Sequence, residues 1–221
     1  MAVDVESLSQ MPFFSRLGED ALRRVALQVQ KRTFSPGQLI VLEGESCGSV
    51  YLVAKGLVRV RRLSPDGREQ VLAYLGPGGS FNLVPALDGG PNLATTDSVR
   101  EATLYAIPCQ TLRQMVREHQ EMALAISEHL AAEVRRLSDM VELLALHTVR
   151  SRLARFLLTT AQDADSPRPW TQQDIAAHIG TVREMVGRSL RAFSEEGWIR
   201  RQRGRIIILD RQGLEHEAIG V

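Results

Sequence analysis

Lysine is nearly absent from this 221-residue chain: Lys31 and Lys55 are the only two, and arginine supplies the rest of its positive charge. Cysteine is as scarce. Cys47 and Cys109 cannot form the disulfide framework of a small secreted protein, so a cytoplasmic location is expected. Two cysteines are also too few for an iron–sulfur cluster. An ordinary buried thiol is the preferred reading of each, with a redox role left open. No run of about 18 apolar residues occurs, which leaves no candidate membrane span. The stretch MAVDVESLSQMPFF has neither a basic n-region nor an apolar core, so no secretory signal is read there. Histidine is missing from residues 33–108, and no nucleophile–base pair is visible, which argues against an enzyme. No catalytic residue and no metal ligand is nominated.

A content of 44% hydrophobic and 24% charged residues fits a globular chain of one large or two small domains. The net charge of +1 hides an asymmetry. Residues 148–211 hold 12 Arg against 7 Asp and Glu, while the remainder is acidic in balance. A basic C-terminal third points to a polyanionic partner.

The periodicity changes twice. Residues 12–31 place Leu17, Leu22, Val25, Ala26 and Val29 at helical spacing. From Thr33 to Pro108, short runs such as QLIVLEG, SVYLVAKG, LVRVRRL, EQVLAYLGPGG and ATLYAIP alternate with glycines. SPDGRE, residues 64–69, is a hairpin turn in which Asp-Gly supplies the positive φ. Many short strands predict a sandwich or β-roll. From about Gln110 the period becomes 3.5. Ala123, Ser127, Leu130, Val134, Leu137, Val141 and Leu144 step by four and three in the a/d pattern of a coiled coil, and residues 109–165 contain no Gly or Pro. One β domain cannot cover so long and narrow a stripe. Leu130, Val134, Leu137, Val141 and Leu144 are therefore the candidate homodimer contacts; the alternative is a helix lying on its own domain.

TTAQDADSPRPW, residues 159–170, reads as a loop. After it come two short helices and a strand–turn–strand wing in WIRRQRGRIIILD. Thr171 is placed as N-cap with Asp174 at N3, an approximate capping box. Ile175, Ala176 and Ile179 face inward, and Gly180 makes the corner. On the next helix Val186, Leu190 and Phe193 form the apolar stripe. Arg183, Glu184 and Arg188 project from its first two turns, in the manner of a helix-turn-helix recognition surface. Each arginine can fork onto guanine O6 and N7, and Glu184 can accept from a cytosine amino group. The bland alternative is a solvated face.

The stretch QDIAAHIGTVREMVGRSLRAFSEEGWIRRQRGRIIILD resembles the C-terminal domain of the CRP/FNR (cyclic AMP receptor protein) regulators. Arg183, Glu184, Gly187 and Arg188 match that family's R-E-x-x-x-R pattern with its internal glycine; Met185 stands where the family usually has Thr or Ser. SPGQLIVLEGE and GLVRVRRLSPDGREQVLAYLGPGG are similar to the family's β-roll, so the resemblance spans nearly the whole chain. It implies an α+β fold: a cyclic-nucleotide-binding-like β-roll with N-terminal helices at 1–109, a dimerisation helix at 110–147 and a winged helix-turn-helix at 148–221. It also implies a homodimer on an inverted repeat of TGTGA-like half-sites in double-stranded DNA, with RNA polymerase as a further partner. Candidate DNA contacts are Thr171, Gln172, Arg183, Glu184, Arg188, Arg203 and Arg205, with Arg200 and Arg201 as further phosphate candidates on the wing.

The family's nucleotide pocket pairs a Glu with ribose and an Arg with the cyclic phosphate. The matching stretch GGSFNLVPALDGGPNLATTDSV puts Leu83 at the Glu position, Leu93 at the Arg position and Ala94 at the hydroxyl position. A buried phosphate needs a charge-assisted donor, which leucine cannot supply. Cyclic AMP is therefore disfavoured and no cofactor is expected. The candidate effector pocket is Phe81, Asn82, Leu83, Leu93, Ala94 and Leu137. The alternative is a haem- or redox-sensing member of the same architecture, with His119, His129 and His147 as weak haem-ligand candidates. A hinge is expected at 147–150.

Overall fold

The structure is a computed structural model and describes residues 3, 5–9, 11–160, 170–202 and 205–219. Two compact units divide it: Met1–Arg62 with Leu72–Val134, and Leu63–Val71 with Arg135–Val221. Among the described residues no helix is long and apolar enough to cross a membrane.

Two short helices, α1 (Val5–Ser9) and α2 (Glu19–Ala26), lead into strands β1 (Gln30–Phe34), β2 (Leu39–Val41), β3 (Ser49–Lys55), β4 (Val58–Leu63), β5 (Glu69–Leu75) and β6 (Ser80–Phe81). A helix α3 (Leu83–Asp88) interrupts them before β7 (Thr95–Ser98) and β8 (Ala102–Pro108). The strands form two four-stranded sheets, ordered β1-β8-β3-β6 and β2-β7-β4-β5. The SPDGRE turn closes as its sequence predicts. Gly67 has φ +82°, and the Ser64 and Arg68 backbones pair across it.

Strand alternation shares β3 and β8 between two cores. Tyr51, Val53, Leu104 and Ala106 face the roll interior with Val41, Val58 and Phe81. Val50, Leu52, Tyr105 and Ile107 face the other way, onto a layer that includes Phe13, Phe14, Leu112, Met122 and Ile126. Both faces being covered, SVYLV and LYAI read as continuous apolar runs. β7 is the opposite case: Thr95, Thr96, Asp97 and Ser98 are all buried. Asp97 is held there by Arg61 Nε at 2.8 Å and Arg59 Nη2 at 3.0 Å, and the Thr95 hydroxyl accepts from the Glu43 amide.

Beyond the roll, α4 (Cys109–Glu118) and α5 (Gln120–Leu146) replace the single uninterrupted helical stretch that the sequence suggested. His119 is extended, with φ −127° and ψ 100°, and its carbonyl accepts from the amides of Met122 and Ala123 at the start of α5. The C-terminal part then contains α6 (Val149–Thr160), α7 (Gln172–Ile179), α8 (Arg183–Glu195), the hairpin β9 (Ile199–Gln202) with β10 (Arg205–Ile208), and α9 (Arg211–Ile219). Its core is Leu153, Phe156, Leu157, Ile175, Ile179, Val186, Leu190, Phe193, Ile199 and Leu214.

Candidate nucleic-acid interface

The helical corner is built by local chemistry. Thr171 caps α7: its hydroxyl accepts from the Asp174 amide at 3.1 Å, and the Asp174 carboxylate accepts from the Thr171 amide at 3.1 Å. Both arms of the capping box are present, so the Thr171 hydroxyl is already engaged. Gly180 ends α7 at φ +69°, which a Cβ disfavours. A Cβ there would lie 2.5 Å from both Leu144 Cδ2 and Gln70 Oε1, residues of the same unit.

Recognition-type geometry follows on α8. Val186, Leu190 and Phe193 are buried while Arg183, Glu184 and Arg188 are all exposed. Gln172 is brought to the same helix: a Cβ on Gly187 would come within 3.3 Å of Gln172 Oε1, so the glycine makes room for that side chain. The Arg188 guanidinium rests on Met185 Sδ. On the wing Ile199 is buried while Arg200, Arg201 and Arg205 are exposed, and Arg205 pairs with Gln202 across the hairpin. Arg203 lies outside the described residues.

Two arginines outside the candidate DNA contacts, one of them at the end of the expected hinge, hold this frame. Arg152, nearly buried on α6, donates from Nη1 to the carbonyl oxygens of Ile179 at 2.7 Å and Gly180 at 3.2 Å. A cation therefore closes the C-terminal end of α7, where the helix dipole favours it. Burial lowers the pKa of Arg152 from its ordinary value. Arg150 pairs with Glu196 and Glu217, each at 3.0 Å, and lies over the rings of Phe193 and Trp198. Its hydrogen bonds to Glu217 and then Glu196 raise its pKa. The one available signal was Arg152 inside the apolar run of α6.

The stripe on α5 changes character along its length. Leu130 packs against the apolar layer of the first unit, and Leu144 is half-buried. Val134, Leu137 and Val141 are 67%, 41% and 65% exposed.

The six candidate pocket residues have different surroundings. Phe81 stacks on Tyr51 in the roll interior, with ring centroids 5.0 Å apart. Leu83 is buried in the other core, on the helical side. Asn82 starts α3 in the left-handed conformation, φ 64°, and donates to Asn92 Oδ1 at 2.9 Å. Ala94 is buried, and Leu93 is 54% exposed. Leu137 belongs to the second unit. Of the histidines, His129 meets Phe13 edge-on and lies 3.2 Å from the Ser80 hydroxyl, and His147 lies 3.3 Å from the Ser151 hydroxyl. No group of three or more His, Cys, Asp or Glu that could hold a metal ion occurs among the described residues. Cys47 and Cys109 are both free, with their sulfurs 3.1 Å apart. Burial first, then the neighbouring Cys109, pushes the Cys47 thiol up to about 12.

Comparison with known proteins agrees with this anatomy. Residues 31–119 match a cyclic nucleotide-binding domain, and residues 151–217 match a Crp-like helix-turn-helix domain. The chain is 30% identical over 211 residues to the cyclic AMP receptor protein of Thermus thermophilus, covering 95% of this chain and 98% of that one. It is 28% identical over 221 residues to a CRP-like cAMP-activated global transcriptional regulator of Mycobacterium tuberculosis, covering 96% and 99%. Its fold matches a solved protein of Eubacterium rectale assigned to the crp/fnr family, with a TM-score of 0.82 at 24% identity over 95% of this chain and 98% of that one.

Proposed function

The chain belongs to the CRP/FNR family of DNA-binding transcription regulators, and on that premise we propose that it acts as a homodimer on an inverted repeat of TGTGA-like half-sites, without needing cyclic AMP. The observation that carries the DNA reading is the exposure of Arg183, Glu184 and Arg188 on the first two turns of α8, opposite a fully buried stripe. Each arginine reads a guanine, and Glu184 reads a cytosine amino group and repels unpaired phosphate. Arg200, Arg201, Arg205 and the Gln172 side chain add backbone contacts that set register. Apolar Val134, Leu137 and Val141 supply the face on which a second chain packs, and so place two recognition helices about 34–36 Å apart on successive major grooves.

Independence from cyclic AMP is supported by Leu83 and Leu93. One is sunk in an apolar core and the other is exposed, and neither can hold a ribose hydroxyl or a phosphate. The two cAMP-linked relatives make this the sharpest point to test. Bound at its site, the protein contacts RNA polymerase to activate transcription, or blocks it to repress.

The test is a titration of effector-free protein against a TGTGA palindrome and a scrambled duplex at one fixed salt concentration, repeated with cyclic AMP. Specific binding that cyclic AMP leaves unchanged is expected. Specific binding that appears only with the nucleotide would overturn the independence. Equal affinity for both duplexes would overturn the half-site.

A further inference from the structure

Cys47 and Cys109 lie outside both the recognition surface and the α5 stripe, and they are 62 positions apart in the chain. The fold nevertheless sets their sulfurs 3.1 Å from each other. A disulfide bond is about 2.05 Å long, so roughly 1 Å of approach separates the free thiols from a bond. A shared soft cation fits less well. Metal–sulfur bonds of about 2.3 Å would hold the two sulfurs well over 3.1 Å apart, and no third ligand group lies among the described residues.

Access to the two thiols is unequal. Cys47, in the β2–β3 connection, is half-buried; Cys109, the first residue of α4, is 8% exposed. A small oxidant reaches Cys47 first, and Cys109 waits behind it. Around them, Cys109 Sγ donates to the Cys47 carbonyl at 3.3 Å. Cys47 Sγ lies 3.6 Å from the Ser49 carbonyl and 3.9 Å from that of Asn82, the left-handed residue that starts α3. The thiol pair therefore adjoins the beginning of α3.

We propose that Cys47 and Cys109 are an oxidisable dithiol that a hydroperoxide converts to a reversible intramolecular disulfide. Cys47 loses its proton and its sulfur attacks one peroxide oxygen. The S–O bond forms as the O–O bond breaks, and the leaving hydroxide takes up a proton as water. The Cys109 sulfur then attacks the Cys47 sulfenic acid. The S–S bond forms, the S–O bond breaks, and a second water leaves. Two thiols give up two electrons and two protons, and hydrogen peroxide becomes two waters; a dithiol reductant reverses the change. Burial and the neighbouring Cys109 push the Cys47 thiol up, which disfavours its thiolate and slows the first step. Closure removes both S–H donors and draws the β2–β3 connection toward the start of α4, next to Asn82.

The site stands on thiol geometry alone, so its test does not involve DNA. Reduced full-length protein is exposed to excess hydrogen peroxide, remaining thiols are alkylated after unfolding, and the peptides are mapped by mass. The expected result is loss of both thiols in step, one peptide pair joined through Cys47 and Cys109 within a single chain, and full recovery with a dithiol. Cys109→Ala is expected to leave Cys47 as sulfenic or sulfinic acid without a cross-link, which places Cys47 first in the sequence of events. Overoxidised Cys47 beside a free Cys109 in the wild type would overturn the proposal. So would a cross-link between two chains, or thiols that survive peroxide which oxidises the urea-unfolded protein.

Discussion

Arg152 Nη1 donates to the Ile179 carbonyl oxygen at 2.7 Å, so the corner before α8 is fastened by a nearly buried cation on a different helix. Replacing it by Met keeps the aliphatic bulk and strands the Ile179 and Gly180 carbonyls. The expected loss is about 2 kcal/mol, from carbonyls left unpaired away from water. Urea denaturation of the full chain reads it as a lower midpoint of the C-terminal transition, and Arg152→Lys should recover only part, since it offers a point charge in place of the fork.

Gly180→Ala forces a side chain into the left-handed region and against Leu144 Cδ2 and Gln70 Oε1. Strain of this kind costs on the order of 1–3 kcal/mol before any clash is counted. The melting temperature should fall and DNA affinity should fall with it. A variant as stable as the parent would mean that the corner relaxes freely.

Arg188→Ala should remove discrimination at one base pair, about 1–3 kcal/mol, while leaving preferences elsewhere in the site. Arg205→Ala should behave differently, weakening binding to all sequences alike and lowering the slope of log affinity against log salt by about 1. Competition binding against a set of singly substituted duplexes, at several salt concentrations, separates the two.

Val141→Glu places a charge in the exposed stripe, where a partner helix would have to bury it. A dimer dissociation constant raised by roughly 100-fold, about 2.7 kcal/mol, is expected in sedimentation equilibrium. The monomer itself should keep its thermal stability, because the side chain is exposed in a single chain. A dimer of unchanged strength would move the interface elsewhere.

The helix-turn-helix was readable because its signals are local. Thr171 with Asp174, Gly180, and the spacing of Val186, Leu190 and Phe193 each lie within a few residues of what they specify. The roll was readable wherever apolar runs met turn residues, as at β3, β8 and SPDGRE. It was not readable at β1, where QKRTF is polar and exposed along most of its length and shows no alternation. Nor was it at β7, whose buried Thr95 and Asp97 are met by the Glu43 amide and by Arg59 and Arg61, residues remote in the chain. The break at His119 carries no glycine or proline to announce it. The candidate pocket residues were chosen by position in a resemblance, and such an alignment cannot say that Phe81 and Leu83 point to opposite sides of a sheet. Arg152 and the Cys47–Cys109 contact are long-range, and nothing near either residue marks its partner.

From Val50 to Val53, strand β3 has no solvent-facing side. A half-exposed strand is held in register by wetting, since a slip of one residue would put its core face into water. Here a slip would exchange Val50 and Leu52 for Tyr51 and Val53, oil for oil, and solvent would be indifferent. Shape has to decide instead, and the stacking of Tyr51 on Phe81 is the fit that distinguishes one phase from the other. Substitutions at this pair that keep polarity but change size will therefore act on which residues face each core, more than on whether the strand is buried at all.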